Sequence, residues 1–296
     1  MQGAWRKVTD QEADFQSVLD QPVFGTYAPN LLQRGLIALA QNTVLRRGAF
    51  RAWMTQIILS VGRGKLDIRF RGAAFRLRGE RNLIEYGLLL APEYNRVDID
   101  FLLEDAPSDA AFVDLGCNIG LYALPLAVAR RGGRVLAIDA NPRMAGLIRW
   151  NAAAGGLLNL QCVHAAVSDR EGSADLMIRK DDVAIVAVEE KAGGSVPVRT
   201  LASIVAEAGI SRIHGLKIDI EGHEDRALVP FLDGCATEML PERIVIEKAG
   251  ADVDYPGCTE AFARHGYGLV RRTRNNSLYR RTLPQRASAV VGSGRI

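Results

Sequence analysis

Short apolar segments alternate with longer helical segments through the middle of the chain, between residues 107 and about 250. Brief apolar runs predict strands, whereas apolar positions that recur every three to four residues predict helices. Strands separated by helices pair in parallel through right-handed crossovers. The pattern therefore predicts an α/β fold with a Rossmann-like, doubly wound, mostly parallel sheet. The predicted strands are 111–115, 134–138, 160–164, 213–219 and 243–247, and the predicted helices are 121–131, 142–154, 200–208 and 223–233.

The N-terminal hundred residues follow a different pattern, which predicts helices and one β-hairpin. Apolar pairs recur at helical spacing in 31–58, with arginines between them. Such a stripe is typical of helices that bury one face, although a basic amphipathic pair lying on a membrane has the same pattern. Polar and apolar residues alternate in 67–70 and 74–78, which predicts the hairpin. Residues 83–105 are predicted to be mostly helical, with a break near Pro92.

Two further segments depart from the regular alternation. Residues 173–199 predict a hairpin-like insertion, and 266–270 and 277–280 predict a terminal antiparallel ribbon with its turn at Asn275-Asn276. We therefore divide the chain into a helical and hairpin extension (1–106), a Rossmann-like domain (107–282) and a flexible tail (283–296).

The composition is that of a globular protein with a substantial core. Of the 296 residues, 48% are hydrophobic and 24% charged, which argues against disorder and against a fibre. No uncharged apolar run reaches the roughly 18 residues that a transmembrane helix needs. The first residues lack the apolar run of a secretory signal, so we expect a cytoplasmic protein. The four cysteines are far apart and include no CxxC pair, which argues against disulfides and a thiolate zinc site.

Charge is distributed unevenly along the chain. Acidic residues outnumber basic ones in 107–263, whereas 46–81 and 264–296 are strongly basic. Basic segments of this kind either form solvated faces or meet an anionic lipid surface, a nucleic acid or a phosphorylated substrate. We assign a peripheral contact with an anionic surface to 46–81 as a hypothesis.

The loop after the first predicted strand, residues 114–120, has features of a ligand-binding turn. In a doubly wound sheet, ligands bind beyond the carboxyl ends of the strands. Gly116 permits a sharp turn and Gly120 permits close approach of the next helix. Asn118 is the non-glycine residue best suited to a left-handed conformation. Asp114 is placed to accept a hydrogen bond from a cationic amine.

The second strand ends at Asp139, 25 residues beyond Asp114. An acid at this position is the usual acceptor for two ribose hydroxyls. The two signals together predict a nucleoside cofactor. A nicotinamide enzyme is an alternative, but its GxGxxG fingerprint does not match the GxxxG spacing of Gly116 and Gly120.

Three blocks of sequence resemble the FkbM family of methyltransferases. They are VDLGCNIG at 113–120, IDANP at 138–142 and LKIDIEGHE at 216–224, and the strand at 242–247 is also similar in ending on Glu. The chain departs from the family pattern at Cys117, Asp139 and Ala140, where the family has Ala, Glu and Pro. The resemblance covers about half of the chain, residues 111–248.

The resemblance implies a class I methyltransferase fold with S-adenosylmethionine as cofactor. It also implies O-methylation, often of a sugar or natural-product hydroxyl. The cofactor residues expected from the loops are Asp114, Gly116, Cys117, Asn118, Gly120, Asp139, Ala140 and Asn141.

The catalytic candidates follow the fourth strand of the alternation. A hydroxyl acceptor must lose its proton as its oxygen is methylated. Asp219, Glu221 and His223 are candidates for the base, His223 because its ordinary pKa lies near neutrality. A carboxylate needs a pKa raised by burial to compete with it. Structural roles are also open: Lys217 and Asp219 share a strand face and suit an ion pair, while Glu221 and Glu224 suit a helix cap. We predict no metal at this site.

The sequence therefore favours an S-adenosylmethionine-dependent methyltransferase. The expected acceptor is a hydroxyl of a carbohydrate, a lipid-linked compound or a natural product. The alternatives are a nicotinamide-dependent oxidoreductase and a non-catalytic Rossmann-fold protein that binds membrane or nucleic acid through its basic flanks.

Overall fold

The computed structural model describes residues 5–7, 21–79, 82–179 and 186–282. The predicted flexible tail, 283–296, lies outside these ranges. The described residues form helices α1 Leu31–Gln41, α2 Gly48–Ser60, α3 Leu83–Leu90, α4 Arg96–Leu103, α5 Ala123–Ala129, α6 Pro142–Ala154, α7 Leu201–Glu207, α8 Glu224–Gly234 and α9 Pro256–Arg264. The strands are β1 Trp5–Lys7, β2 Leu66–Phe70, β3 Ala73–Leu77, β4 Ala111–Leu115, β5 Arg134–Asp139, β6 Leu160–His164, β7 Ala166–Ser168, β8 Gly172–Arg179, β9 Val186–Glu190, β10 Val196–Thr200, β11 Gly215–Ile218, β12 Arg243–Glu247, β13 Tyr267–Arg272 and β14 Asn276–Arg281.

The central sheet has seven strands in the order β13-β14-β12-β11-β4-β5-β6. The five strands from β12 to β6 are parallel, while β14 and β13 are antiparallel additions at one edge. The chain adds β5 and β6 on one side of β4 and then returns to add β11 and β12 on the other side. The predicted Rossmann-like, mostly parallel sheet is confirmed, and its switch point lies between β4 and β11.

Apolar helices cover both faces of this sheet. One face packs against α7, α8 and α9. The other packs against α5 and α6, and its hydrophobic core continues into α2, the β2–β3 hairpin and α3. The N-terminal extension therefore shares a core with the sheet, in part through Met54, Ile58 and Leu59 of α2. Much of the predicted apolar stripe on α1 is exposed, including Leu31, Leu32 and Leu39. The domain boundary near residue 106 stays a prediction.

The elements predicted outside the alternation form with small shifts. The β2–β3 hairpin and the two helices broken near Pro92 are present. The hairpin-like insertion forms β8, β9 and β10, which make a second sheet together with β7 and the N-terminal β1. The predicted turn of the terminal ribbon, Asn275-Asn276, lies one residue too far toward the C-terminus, because Asn276 belongs to β14. Its buried side chain donates a hydrogen bond to Asp98 at 2.6 Å, which fixes it in the strand. Within the described part of the chain, every helix is too short or too polar to cross a bilayer.

A buried arginine joins the extension to the domain. The Arg76 guanidinium donates two hydrogen bonds to the Asp67 carboxylate, at 2.7 and 2.9 Å, and both side chains are almost fully buried. It also stacks 4.0 Å from the ring centroid of Trp150 on α6. Its backbone N–H donates to Asn151 of the same helix. Arg76 belongs to the basic segment 46–81 but is not part of any exposed basic surface.

We expect Arg76→Ala to lower the free energy of unfolding by about 3–5 kcal/mol, because it leaves the Asp67 carboxylate buried without its cation. Urea unfolding followed by tryptophan fluorescence measures the change. Arg264→Ala is the control, since Arg264 pairs with Asp233 at a solvent-exposed site, where an ion pair contributes little. Equal losses in the two variants would contradict a structural role for the buried pair.

Candidate functional site

Two backbones approach each other closely at the switch point of the sheet. Gly116 follows β4 with a φ of +73°, and a Cβ added to it would lie 1.7 Å from the carbonyl oxygen of Asp219. Asp219 follows the neighbouring strand β11, and its N–H donates to the Leu115 carbonyl at 3.1 Å. Only glycine fits this contact. The loop after β4 and the loop after β11 therefore diverge from one point and enclose a space between them.

Asp139 ties the first loop to the second strand. Its carboxylate accepts hydrogen bonds from the backbone N–H groups of Asn118 at 2.7 Å and Asn141 at 2.8 Å. Asn118 has a φ of +47°, so the predicted left-handed conformation is present. A carboxylate has about four acceptor positions, and two remain for a ligand. Burial raises the pKa of Asp139 to about 6, although the two backbone hydrogen bonds oppose this rise.

The N-terminal extension supports the same loop. The side chain of Asn82, at the start of α3, donates to the Asn118 side-chain oxygen at 2.8 Å. Both residues are buried. Asn82 was not predicted as a site residue, and its sequence signal is only that of a helix cap. Its contact shows that the extension shapes the loop as well as covering the sheet.

Asp114 is a buried acid with an incomplete set of hydrogen bonds. One oxygen accepts from the Ala123 N–H at 3.0 Å, and the other has no partner among the described residues. Burial raises its pKa to about 7, although the nearby Lys217 ammonium opposes this. A buried carboxylate without full hydrogen bonding is costly. A cationic group of a ligand at this place would lower that cost, so Asp114 fits the predicted cofactor.

The buried Lys217 forms an ion pair with the half-buried Asp219. Its ammonium lies 3.2 Å from the Asp219 carboxylate and 5.3 Å from the ring centroid of Tyr122, and it donates to the Ile218 carbonyl at 2.9 Å. The ion pair suggested by the strand pattern is therefore present. Burial raises the pKa of Asp219, but Lys217 and a hydrogen bond from Glu247 lower it by more, so it lies below its usual range. Asp219 is ionised at neutral pH.

Glu247 completes this group from the end of β12. Burial and the nearby Asp219 carboxylate raise the pKa of Glu247 to about 9. The two carboxyls therefore hold one proton between them at neutral pH, on Glu247. Glu247 was not among the predicted site residues. The available signal was its position, since an acid at the carboxyl end of a strand next to the switch point faces the ligand edge of the sheet.

Glu224 fixes the loop that carries the other candidates. Its carboxylate accepts from the N–H groups of Ile220 at 2.8 Å and Gly222 at 2.9 Å, which precede α8. The helix-cap role considered from the sequence is therefore wrong for Glu224, because its side chain bonds the loop and no side chain caps the first turn of α8. Carboxylate oxygens of Asp219, Glu224 and Glu247 lie within 4.8 Å of one another. The ammonium of Lys217 already supplies a cation beside them, and Glu224 is occupied by the backbone.

One cavity of about 950 Å³ brings most of the predicted residues together. Gly120 and Asn141 are not in its lining. Gly120 allows close packing, since a Cβ there would meet Leu124 at 2.7 Å, and the Asn141 side chain caps α6. The predicted residues that line the cavity are Asp114, Gly116, Cys117, Asn118, Asp139, Ala140, Asp219, Glu221 and His223.

We expect Gly116→Ala to lower the free energy of unfolding by at least about 2 kcal/mol, because the methyl group collides with the Asp219 carbonyl at a positive φ. Thermal unfolding measures the loss. Gly35→Ala is the matched control, since no atom lies within 4 Å of a Cβ at this helical position, and a gain of about 0.5–1 kcal/mol is expected there. A Gly116 variant as stable as the wild type would show that the two loops can separate freely.

A comparison with protein families shows the family of this chain. The family model described as the methyltransferase FkbM domain matches residues 114–268, more than half of the chain. None of the curated proteins matches the chain.

Several solved structures resemble the chain at low identity. Precorrin-6y C5,15-methyltransferase from Geobacter metallireducens is 15% identical, with a TM-score of 0.40 over 64% of this chain and 87% of its own. TYW2 from M. jannaschii, solved in complex with AdoMet, is 14% identical, with a TM-score of 0.38 over 74% and 87%. The METTL16 methyltransferase domain is 12% identical, with a TM-score of 0.46 over 91% and 87%.

The family match begins on Asp114 and includes the loops after β4, β5 and β11. It confirms the resemblance read from the three sequence blocks. It decides against the two alternatives, a nicotinamide-dependent oxidoreductase and a non-catalytic protein. The chain belongs to the FkbM methyltransferase domain family and is an S-adenosylmethionine-dependent methyltransferase.

Proposed function

We propose that the enzyme methylates a hydroxyl oxygen of a carbohydrate, a lipid-linked compound or a small natural product. The observation that carries this proposal is the ionised Asp219 carboxylate in the cavity, paired with Lys217 and bonded to a protonated Glu247. A hydroxyl is a poor nucleophile until a base takes its proton. The carboxylate is ionised and lies within the cavity that holds the predicted cofactor residues, so it can accept that proton. The contacts that keep it ionised also make it a weaker base, so its contribution depends on its fixed position beside the acceptor.

Asp139 and Asp114 hold the cofactor in this proposal. The two remaining acceptor positions of Asp139 suit the paired hydroxyls of the ribose. The incompletely bonded Asp114 suits the cationic amine of the methionine part. When bound, S-adenosylmethionine supplies an electrophilic methyl group. The protein then has to hold the acceptor oxygen in line and close to that methyl.

Asp219 accepts the proton from the acceptor hydroxyl. Lys217 keeps it ionised before the reaction, and Glu247 limits its movement through their shared hydrogen bond. Glu221 and His223 also line the cavity and remain the alternative bases. They lie after the chain leaves β11, on a loop where Glu221 and Gly222 have positive φ values. Asp219 is the candidate that the rigid strand positions directly.

We expect S-adenosylhomocysteine to bind with micromolar affinity, and Asp139→Ala to weaken binding about 100-fold, because it removes two charge-assisted hydrogen bonds. Isothermal titration calorimetry measures both. Asp233→Ala is the control, an exposed acid outside the cavity lining. Absence of binding to a folded wild-type protein would contradict the site assignment.

Titration of the same complex across pH tests the assignment of Asp114. Without ligand, the carboxyls of Asp114 and Asp139 have pKa values of about 7 and 6. A bound cation lowers the pKa of Asp114, so binding near pH 7 should release protons, and affinity should fall as pH drops below about 7, the pKa of this carboxyl without ligand. Calorimetry in buffers of different ionisation enthalpy counts the protons. Asp114→Asn should abolish most of the release, and unchanged release would place the amine elsewhere.

We expect Asp219→Asn to lower the rate of methyl transfer by about 10²–10⁴-fold, the usual contribution of a general base, while cofactor affinity stays within a few-fold. The assay follows radiolabelled methyl transfer from S-adenosylmethionine into an extract of the source cells. The label should survive mild alkali, as a methyl ether does. Release as methanol would indicate a carboxyl acceptor and overturn the proposal. A larger rate loss in His223→Gln than in Asp219→Asn would transfer the role of base to His223.

A further inference from the structure

Five arginines line the cavity that contains the carboxylates. Arg46, Arg47 and Arg51 come from the start of α2 and the turn before it, and Arg271 and Arg274 come from the terminal ribbon. All but Arg51 are solvent-exposed, so they lie where the cavity opens. Two basic segments from opposite ends of the sequence therefore meet at one opening. We call these five residues the arginine rim.

The arginine rim lacks counter-ions within the protein. None of its five side chains forms an ion pair with a carboxylate in the part of the chain that the structure describes. Arg96 lines the same cavity but pairs with both Glu93 and Asp100. Like charges brought together without partners repel one another, and they raise the local concentration of anions. The rim is therefore arranged to receive an anion from outside.

Charge in the cavity is separated into two zones. The inner zone contains the buried or half-buried carboxyls of Asp114, Asp139, Asp219 and Glu247. The exposed part of the lining contains the rim, together with Glu93, which pairs with Arg96, and Glu221. The inner zone suits the cationic cofactor, and the rim does not. An acceptor whose reacting hydroxyl lies near Asp219 would place its distant end at the rim. That end must be anionic to gain from the contact.

We propose that the acceptor carries a phosphate or diphosphate group, which the arginine rim binds while the hydroxyl reaches Asp219. This inference rests on the proposed methylation of a hydroxyl. Guanidinium groups bind phosphate oxygens in pairs of hydrogen bonds. Five of them exceed what a single carboxylate can satisfy, whereas a diphosphate offers enough oxygens and charge. The rim is a binding element that selects the acceptor.

Two sources present this chemistry, a soluble phosphorylated compound and a lipid headgroup. Leu83 and Val97 are exposed apolar residues that line the same cavity. Phe50 and Trp53, on either side of Arg51, are 56% and 57% exposed. Exposed aromatic residues beside arginines suit the interface of an anionic membrane. The test therefore includes a soluble probe and a vesicle.

The first arm titrates inorganic pyrophosphate into the full-length enzyme saturated with S-adenosylhomocysteine. Two double variants are compared, Arg47→Gln with Arg51→Gln, and Arg271→Gln with Arg274→Gln. The control double variant, Arg131→Gln with Arg134→Gln, removes the same charge at the opposite, amino end of β5. We expect each rim variant to weaken binding at least about fivefold and the control to change it less than twofold. A loss confined to one pair still supports the proposal and places the phosphate on that segment.

The second arm measures sedimentation with phosphatidylcholine vesicles, with and without phosphatidic acid. Binding that needs phosphatidic acid and is lost in the rim variants identifies the lipid source, and pyrophosphate binding alone identifies the soluble source. The proposal is overturned if neither probe binds, or if the rim variants and the control behave alike. Tight binding of polyadenylate RNA that pyrophosphate does not displace would also overturn it. Titration with S-adenosylhomocysteine in every sample separates these outcomes from a failure of the cofactor site.

Discussion

The buried ammonium of Lys217 is the interaction on which the chemistry of this site depends. A charged amine without contact to water is tolerated only when opposite charge surrounds it. Here it lies 3.2 Å from the Asp219 carboxylate and close enough to Asp114 to oppose the rise of its pKa. It therefore sets which acids are ionised. Asp219 keeps its charge, Glu247 keeps its proton, and the pKa of Asp114 stays near neutral pH.

The backbone constraint at Gly116 gives these charges their common space. Because β4 and β11 are adjacent, parallel strands at the switch point, their carboxyl ends open toward the same edge. The close contact between Gly116 and the Asp219 carbonyl lets the two loops begin together and then separate. Asp139 holds the loop after β4 through the backbone N–H of Asn118, and Glu224 holds the loop after β11 through two backbone N–H groups. The site is thus rigid where the charges lie.

The N-terminal extension is part of the site as well as of the core. Arg76 and Asp67 fix the hairpin against α6, and Asn82 supports the cofactor loop through Asn118. The same extension brings Arg46, Arg47 and Arg51 to the opening of the cavity. Because these contacts join residues far apart in sequence, a change in the extension is expected to affect both stability and selection of the acceptor. The acidic inner zone and the basic opening together favour one orientation of bound ligands, with cationic groups inside and anionic groups at the opening.

The sequence by itself determined the α/β order, the glycine loop with Asn118 in the left-handed conformation, and the family through its three blocks. These are local properties, since the period of apolar residues and the conformational freedom of glycine and asparagine act within a few residues. Glu247 and Asn82 were not predicted as site residues. The role of Glu247 depends on Asp219 after the neighbouring strand, and that of Asn82 on a contact between the extension and Asn118. The pKa values of the acids and the meeting of the two basic segments were also decided only by the tertiary structure. Burial and the distances between charges fix these properties, and both depend on contacts between residues that are far apart in the sequence.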